Sequence, residues 1–191
     1  MKLFFILISA MLINNLILSR FLGICPFLGV SRKLDTAVGM GISVIFVMIL
    51  SSTAAWFIDA LLKVWGIEYL KIITFILVIA ALVQFVEIFM KKASPTLYEA
   101  LGIYLPLITT NCAILGIALL NSQLEYNFLE SLVNAIGASV GFALALVIFA
   151  SIRERLEFAD IPKPFAGMAS VLIAASLLSM AFMGFKGLVK M

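Results

Sequence analysis

The sequence predicts an all-α integral membrane protein of six transmembrane helices, arranged as two inverted three-helix repeats in which helices one and four are broken. Of the 191 residues, 64% are hydrophobic and 12% are charged, and the mean hydropathy is +1.23, so polar surface is too scarce for a soluble globule. Uncharged intervals long enough for a helical crossing recur along the chain. The only two cysteines lie in the same short pattern, C-x-x-L-G, once in each half.

The uncharged intervals are residues 3–19, 36–58, 72–86, 100–124, 131–152 and 164–185. A hydrocarbon core of about 30 Å needs roughly 20 apolar residues per helix, which makes these intervals six candidate spans. The third must extend past Glu87 to Met90. Because the runs are continuous and do not alternate, a membrane barrel is not expected. We predict one domain, residues 1–191, with repeat one over about 1–92 and repeat two over about 93–191.

The first span is too long for one straight helix. Between residues 3 and 30 only Arg20 is charged, and a helix of that length would reach about 42 Å. Gly23, Pro26 and Gly29 are the helix breakers, and we expect an interruption near Gly23 to Pro26 that leaves Cys25 beside free backbone N–H groups. Irregular backbone at membrane depth is tolerated where it is buried in protein or lines a cavity, so the break indicates a site.

Spans two, five and six are rich in Gly, Ala and Ser, and we interpret them as packing helices. The charged segment after span five is interpreted as a solvated connector, with a short surface helix over residues 153–160.

Span three carries Glu87. An intramembrane carboxylate is a candidate for an ion or proton path. Lys91 follows four residues later, and this spacing favours an ion pair at the membrane boundary. Both interpretations stay open, and the ion pair is the simpler one.

Span four predicts a second broken helix, because Pro106, Thr109, Thr110, Asn111 and Cys112 fall within seven residues. The proline frees a backbone carbonyl, and the hydroxyl and amide groups can bond the loosened backbone or a ligand. Packing would explain one such residue, whereas the cluster favours a site.

The two C-x-x-L-G patterns lie 87 residues apart, and each opens a half of three spans. Three crossings start the second half from the opposite face, which turns the sequence repeat into an inverted-topology repeat. We therefore expect Cys25 and Cys112 to approach near the midplane, with sulfurs within about 15 Å, half a bilayer.

Two such cysteines suit few chemistries. A disulfide between them is geometrically possible, but a membrane thiol oxidoreductase would generally need a second pair or a resolving cysteine, which the chain lacks. Thiolates are good ligands for iron-sulfur clusters, and the absence of histidine excludes histidine-ligated haem, Rieske ligation and a mixed zinc site within this chain. Since a cluster usually takes four thiolates, the other two must come from another chain.

Basic residues predict the orientation. The first, third and fifth loops hold Arg32, Lys33, Lys91, Lys92, Arg153, Arg155 and Lys163, and the second and fourth hold Lys63 and Lys71. The positive-inside rule then places the odd loops in the cytoplasm and both termini outside it. The same rule explains 13 basic against 10 acidic residues, so nucleic-acid binding is not predicted.

Several stretches resemble a known family of membrane subunits. They are NN at 14–15, FLGICPFLGVS at 21–31, VGMG at 38–41, LGIYLPLITTNCAILG at 101–116, IRER at 152–155 and the final MAFMGFKGLVK. The sequence resembles the A subunits of Rnf electron transport complexes over nearly its whole length, and it is similar to the E subunits of sodium-pumping NADH:quinone reductases.

The resemblance implies one component, not catalytic alone, of a ferredoxin:NAD oxidoreductase coupled to Na⁺ or H⁺ translocation in a bacterial or archaeal cytoplasmic membrane. It implies a homologous partner of opposite topology, the RnfE-like chain, together with the B, C, D and G components. Four cysteines, two of them matching Cys25 and Cys112, would hold a [2Fe-2S] cluster that relays electrons across the membrane.

Two alternatives stay open. A secondary transporter-like, ion-conducting subunit would also have inverted repeats and broken helices, but it predicts polar or charged groups at the midplane, where apart from Asn111 and its threonines this chain offers sulfur. A purely structural subunit would have inert buried cysteines.

Overall fold

The computed structural model describes residues 2–93, 107–108, 110–158, 162 and 167–188. Its helices are α1 (Lys2–Ile8, continued by a π-helical turn, Ser9–Ile13), α2 (Ile24–Val30), α3 (Leu34–Trp65), α4 (Lys71–Ala93), α5 (Cys112–Gln123), α6 (Phe128–Glu157) and α7 (Met168–Leu188). A 3-10 turn, Glu68–Leu70, precedes α4. These ranges hold no strand.

Three helices in the described ranges are long and apolar enough to cross a membrane: Leu34–Trp65, Lys71–Ile88 and Phe128–Glu157. Shorter apolar helices occupy Leu3–Ile13, Cys112–Gln123 and Met168–Gly184. An apolar helix therefore lies in each of the six predicted spans. The all-α membrane class is confirmed, whereas the division into two three-helix repeats stays a prediction.

The first span is broken, as expected, but the break begins earlier than Gly23. Helical structure ends at Ile13, and the turns that follow lead to α2, which starts at Ile24. The cause is Asn15, whose buried side chain accepts from the N–H of Ile17 at 3.1 Å and donates to the carbonyl of Gly141 at 2.8 Å. Asparagine competes with helical hydrogen bonding in this way.

Gly23 and Pro26 lie at the C-terminal end of the break, where α2 begins, and not at its start. Gly23 has a φ of 85°, a left-handed conformation that favours glycine, and directly precedes α2. Pro26 lies in the first turn of α2, where its missing N–H costs no helical hydrogen bond. From α7, the Ser179 hydroxyl donates to the Leu18 carbonyl at 2.7 Å and so satisfies an acceptor within the break.

The two longest helices, α3 and α6, form the centre of the bundle. Their approach is close, because a Cβ on Gly41 of α3 would lie 3.1 Å from the Cβ of Ala143. On another face of α6, a Cβ on Gly141 would lie 2.6 Å from the carbonyl oxygen of Met11. The prediction that spans two and five are packing helices is thus confirmed, since their glycines admit neighbouring backbone.

The prediction of a separate surface helix over residues 153–160 is wrong. The helix α6 continues through Glu157, because no Gly or Pro interrupts it there. Arg153 is half-buried and its Nη1 donates to the carbonyl of Leu28 at 2.8 Å and to Ser31 Oγ at 2.9 Å. This part of the charged segment holds the C-terminal end of α2 and is not merely a solvated connector.

Candidate metal centre at the two broken helices

Cys112 is the first residue of α5 and lies at a well-capped helix start. Asn111 is the N-cap residue, and its Oδ1 accepts from the N–H of Ala113 at 3.0 Å. The prediction of a broken fourth span is confirmed at this point, whereas Pro106 and Thr109 lie outside the described residues. An α-helix carries a partial positive charge at its N-terminus, which favours the binding of a negatively charged group there.

Cys25 is the second residue of α2 and follows Gly23 closely. Both cysteines are free thiols, with Cys25 exposed and Cys112 partly exposed in this single chain. Neither is an inert thiol enclosed in the core, so both are accessible to a ligand or a second chain.

The two cysteine-bearing elements are in contact. The backbone N–H of Gly23 donates to the Sγ of Cys112 at 2.9 Å. Because consecutive Cα atoms are about 3.8 Å apart, the short chain from Gly23 to Cys25 keeps the two sulfurs within about 15 Å. The structure thus brings together the two residues that the sequence pattern selected.

The glycines of the two C-x-x-L-G patterns make reciprocal contacts. A Cβ on Gly116 would lie 2.5 Å from Cδ1 of Leu22, which precedes Cys25. A Cβ on Gly29 would lie 3.5 Å from Cδ1 of Leu107, which precedes Cys112. Each pattern therefore packs its glycine near a leucine that lies shortly before the cysteine of the other pattern.

The surroundings suit an anionic sulfur-bound group. Asn111 is 4% exposed, and its Nδ2 has no hydrogen-bond partner among the residues that the structure describes. Fully buried Phe142 and Ala113 line the Gly23 side of the centre. The same part of the chain brings no three His, Cys, Asp or Glu residues together as a metal site. The sequence has two cysteines, so a tetrathiolate centre would need a second chain.

Nearly the whole chain matches one family model. That model, "Rnf-Nqr subunit, membrane protein", covers residues 3–189. This chain belongs to the Rnf-Nqr family. The resemblance given by the cysteine patterns is thereby confirmed.

Individual relatives are similar over their full length. Over 189 residues, 98% of both chains, the sequence is 57% identical to the A subunit of the Na(+)-translocating ferredoxin:NAD(+) oxidoreductase complex of Acetobacterium woodii. It is 54% identical over 187 residues to the A subunit of the ion-translocating oxidoreductase complex of Vibrio cholerae serotype O1, covering 97% of each chain. A protein of the same name from Thioalkalivibrio sulfidiphilus is 59% identical over 186 residues, again 97% of each chain.

Sequence reasoning missed a polar cluster of this Rnf-Nqr chain at the α3–α4 turn. Asp59 is paired with Lys71 at 2.8 Å and with Lys63 at 3.0 Å, and its Oδ1 accepts from Ser122 Oγ at 2.6 Å. Asp59 is 8% exposed. This ion pair could have been predicted from the sequence. Asp59 ends one span and Lys71 precedes the next, and a helical hairpin brings such residues together.

A buried amide network adjoins that cluster. Asn121 donates to Ser52 Oγ at 3.0 Å and to Ser131 Oγ at 2.8 Å, and its Oδ1 accepts from Asn134 Nδ2 at 2.6 Å. It borders a pocket of about 200 Å³ together with Asp59. These contacts join α3, α5 and α6, so serine and asparagine side chains of these spans form interhelical hydrogen bonds.

Glu87 lies in α4, four residues before Lys91, and is half-buried. It lies far along the chain from the cysteine patterns, near the C-terminal end of its helix. Its role in ion coupling stays a prediction.

Proposed function

We propose that this chain is the A component of an ion-translocating ferredoxin:NAD oxidoreductase complex. In this role it supplies Cys25 and Cys112 as two of the four ligands of a [2Fe-2S] cluster shared with a homologous subunit. The observation that carries the proposal is the Gly23 N–H to Cys112 Sγ hydrogen bond, which joins the two cysteine elements in a chain of the Rnf-Nqr family. The full-length relatives, whose names describe the same component of such complexes, support the assignment.

The donor set fits the cluster. Thiolates are its usual ligands, and N–H groups directed at cysteine sulfur help to set its potential. Gly23 supplies one such N–H, and the start of α5 places a positive helix end at Cys112. When bound, the cluster would supply one-electron transfer within the membrane. The work of this chain is to hold two ligands, exclude water and direct hydrogen bonds at them.

The partner follows from the ligand count. Exposed Cys25 leaves the centre open to another chain, and a homologue with the same pair of elements would complete it. We infer the RnfE-like chain, of opposite topology, as this partner, with the B, C, D and G components carrying the other steps. The chain would lie in a bacterial or archaeal cytoplasmic membrane with both termini outside the cytoplasm, and it would not be catalytic alone.

A transporter-like, ion-conducting role is the second candidate, because the network around Asn121 and Asn134 places buried polar side chains within the bundle. In that network the amide groups of both asparagines bond other side chains of this chain. Interhelical packing therefore accounts for these residues without a transported ion, and the cysteine centre remains the better-supported site.

Serine substitution of each cysteine tests the proposal in the purified complex. Cys25→Ser and Cys112→Ser should abolish the iron-sulfur EPR signal and electron flow between ferredoxin and NAD, while membrane insertion is retained. Thr53→Ser is the matched control, because it only removes a methyl group in α3, away from both cysteines, and it should keep the signal. An unchanged EPR signal in either cysteine variant would refute the ligand assignment.

A further inference from the structure

We propose that the side-chain amide of Asn111 donates a hydrogen bond to a sulfur atom of the cluster and thereby raises its midpoint potential. The inference rests on the proposed function and assigns a tuning role to a residue that is not a ligand. Three features of Asn111 lead to it: its fixed amide orientation, its unused donor and its contact with both cysteine elements.

The orientation of the amide is set by the helix start. Oδ1 accepts from the N–H of Ala113 at 3.0 Å, which is the usual N-cap bond. Exchanging the oxygen and nitrogen of the amide would set its NH₂ group against the Ala113 N–H, donor against donor. Nδ2 is therefore the atom that is directed away from α5.

That donor is unused, unlike the donors of the other buried asparagines in the described ranges. The amide nitrogens of Asn15, Asn121 and Asn134 donate to Gly141 O, Ser131 Oγ and Asn121 Oδ1 at 2.8, 2.8 and 2.6 Å. Asn111 is 4% exposed, and its Nδ2 has no acceptor within the part of the chain that the structure describes. Buried polar groups nearly always have a partner, so a sulfur atom of the proposed cluster is a candidate acceptor for this one.

The amide lies at the centre formed by the two broken helices. Asn111 directly precedes Cys112, and a Cβ on Gly23 would lie 3.4 Å from Asn111 Oδ1. The N–H of Gly23 in turn donates to Cys112 Sγ. An anionic sulfur atom bound between Cys25 and Cys112 is the acceptor that this position favours.

A hydrogen bond to sulfur stabilises the more negative, reduced state of a cluster, so its loss lowers the potential. Asn111→Ser keeps an N-cap residue and removes the amide donor. Asn111→Asp also keeps the cap, but it replaces the donor with a charged acceptor. The purified complex should therefore show a lower midpoint potential in EPR redox titration for Asn111→Ser, and a still lower one for Asn111→Asp.

Asn127 provides the matched control, because it is the N-cap residue of α6 and is exposed. Asn127→Ser should leave the midpoint potential unchanged. Potentials equal to wild type in both Asn111 variants would overturn the inference and leave the ligand assignment intact, whereas a wild-type complex with no cluster signal would overturn the proposed function itself.

A measurement on the wild-type complex covers the case in which the variants fail to assemble a cluster. With asparagine ¹⁵N-labelled at the side-chain amide, pulsed EPR of the reduced complex should detect a coupling between the cluster and an amide nitrogen. Detection supports the inference, and the absence of such a coupling overturns it.

Discussion

The backbone N–H of Gly23 donates a hydrogen bond to the Sγ of Cys112 at 2.9 Å, across 89 residues of sequence. This bond joins the break in the first span to the start of α5. It fixes the position of Cys112 relative to the residues that lead into Cys25, and it directs a hydrogen-bond donor at a prospective ligand sulfur. The centre therefore depends on a glycine that neither cysteine pattern contains.

Gly23→Ala should destabilise the chain and disrupt the centre. The φ of 85° is unfavourable for alanine by roughly 1–2 kcal/mol. The new Cβ would also lie 2.7 Å from Phe142 Cε2. Thermal unfolding in detergent should show a lower midpoint, and the purified complex should lose iron.

Gly39→Ala is the control for that variant, because Gly39 lies within α3 and a Cβ there meets no atom within 4 Å. Its stability should be unchanged or raised by up to about 1 kcal/mol, the helix-propensity difference between the two residues. Equal stability of Gly23→Ala and Gly39→Ala would contradict the account of the break.

Gly116→Ala should be coupled to Leu22. A Cβ on Gly116 would lie 2.5 Å from Leu22 Cδ1, and overpacking of this kind costs about 1–3 kcal/mol. In the double variant with Leu22→Ala, the clash is absent. A double-mutant cycle on the free energy of unfolding should therefore give a favourable coupling of about 0.5–3 kcal/mol.

Gly184→Ala is the control for this cycle, since a Cβ at Gly184 meets no atom within 4 Å. Combined with Leu22→Ala, it should give additive free energies. Additivity of Gly116→Ala and Leu22→Ala would show that the two broken helices do not pack through these residues.

The two lysines that pair with Asp59 should differ in their contributions. The Lys63 side chain is 40% exposed and that of Lys71 is 20% exposed. Lys63→Met should change the free energy of unfolding by less than about 1 kcal/mol, because water screens exposed ion pairs. Lys71→Met should cost more, since it also removes the contact to Ser122.

Titration of both lysine variants with a denaturing detergent measures their free energies of unfolding, and Asp59→Asn is the reference variant. Asp59→Asn should lower the free energy of unfolding by about 1–3 kcal/mol, because it leaves Lys71 without its counter-charge. A larger loss for Lys63→Met than for Lys71→Met would contradict the structure of the cluster.

The helices and the cysteine pair were predictable because they depend on local composition and on a repeated pattern. The onset of the break was not, because Asn15 acts through Gly141, a partner 126 residues away. For the same reason the role of Arg153 was missed, since its acceptor Leu28 is 125 residues distant. The Asp59–Lys71 pair was within reach of sequence reasoning, because a short turn alone brings its residues together.

Iron analysis with EPR, on this protein purified alone and co-purified with its homologous partner, tests whether two chains share the cluster. The isolated chain should carry no iron-sulfur signal, because it provides only two cysteine ligands. The co-purified pair should carry a [2Fe-2S] signal that Cys112→Ser abolishes. A cluster bound to this chain alone, or a co-purified pair without a cluster, would contradict a centre shared between the two subunits.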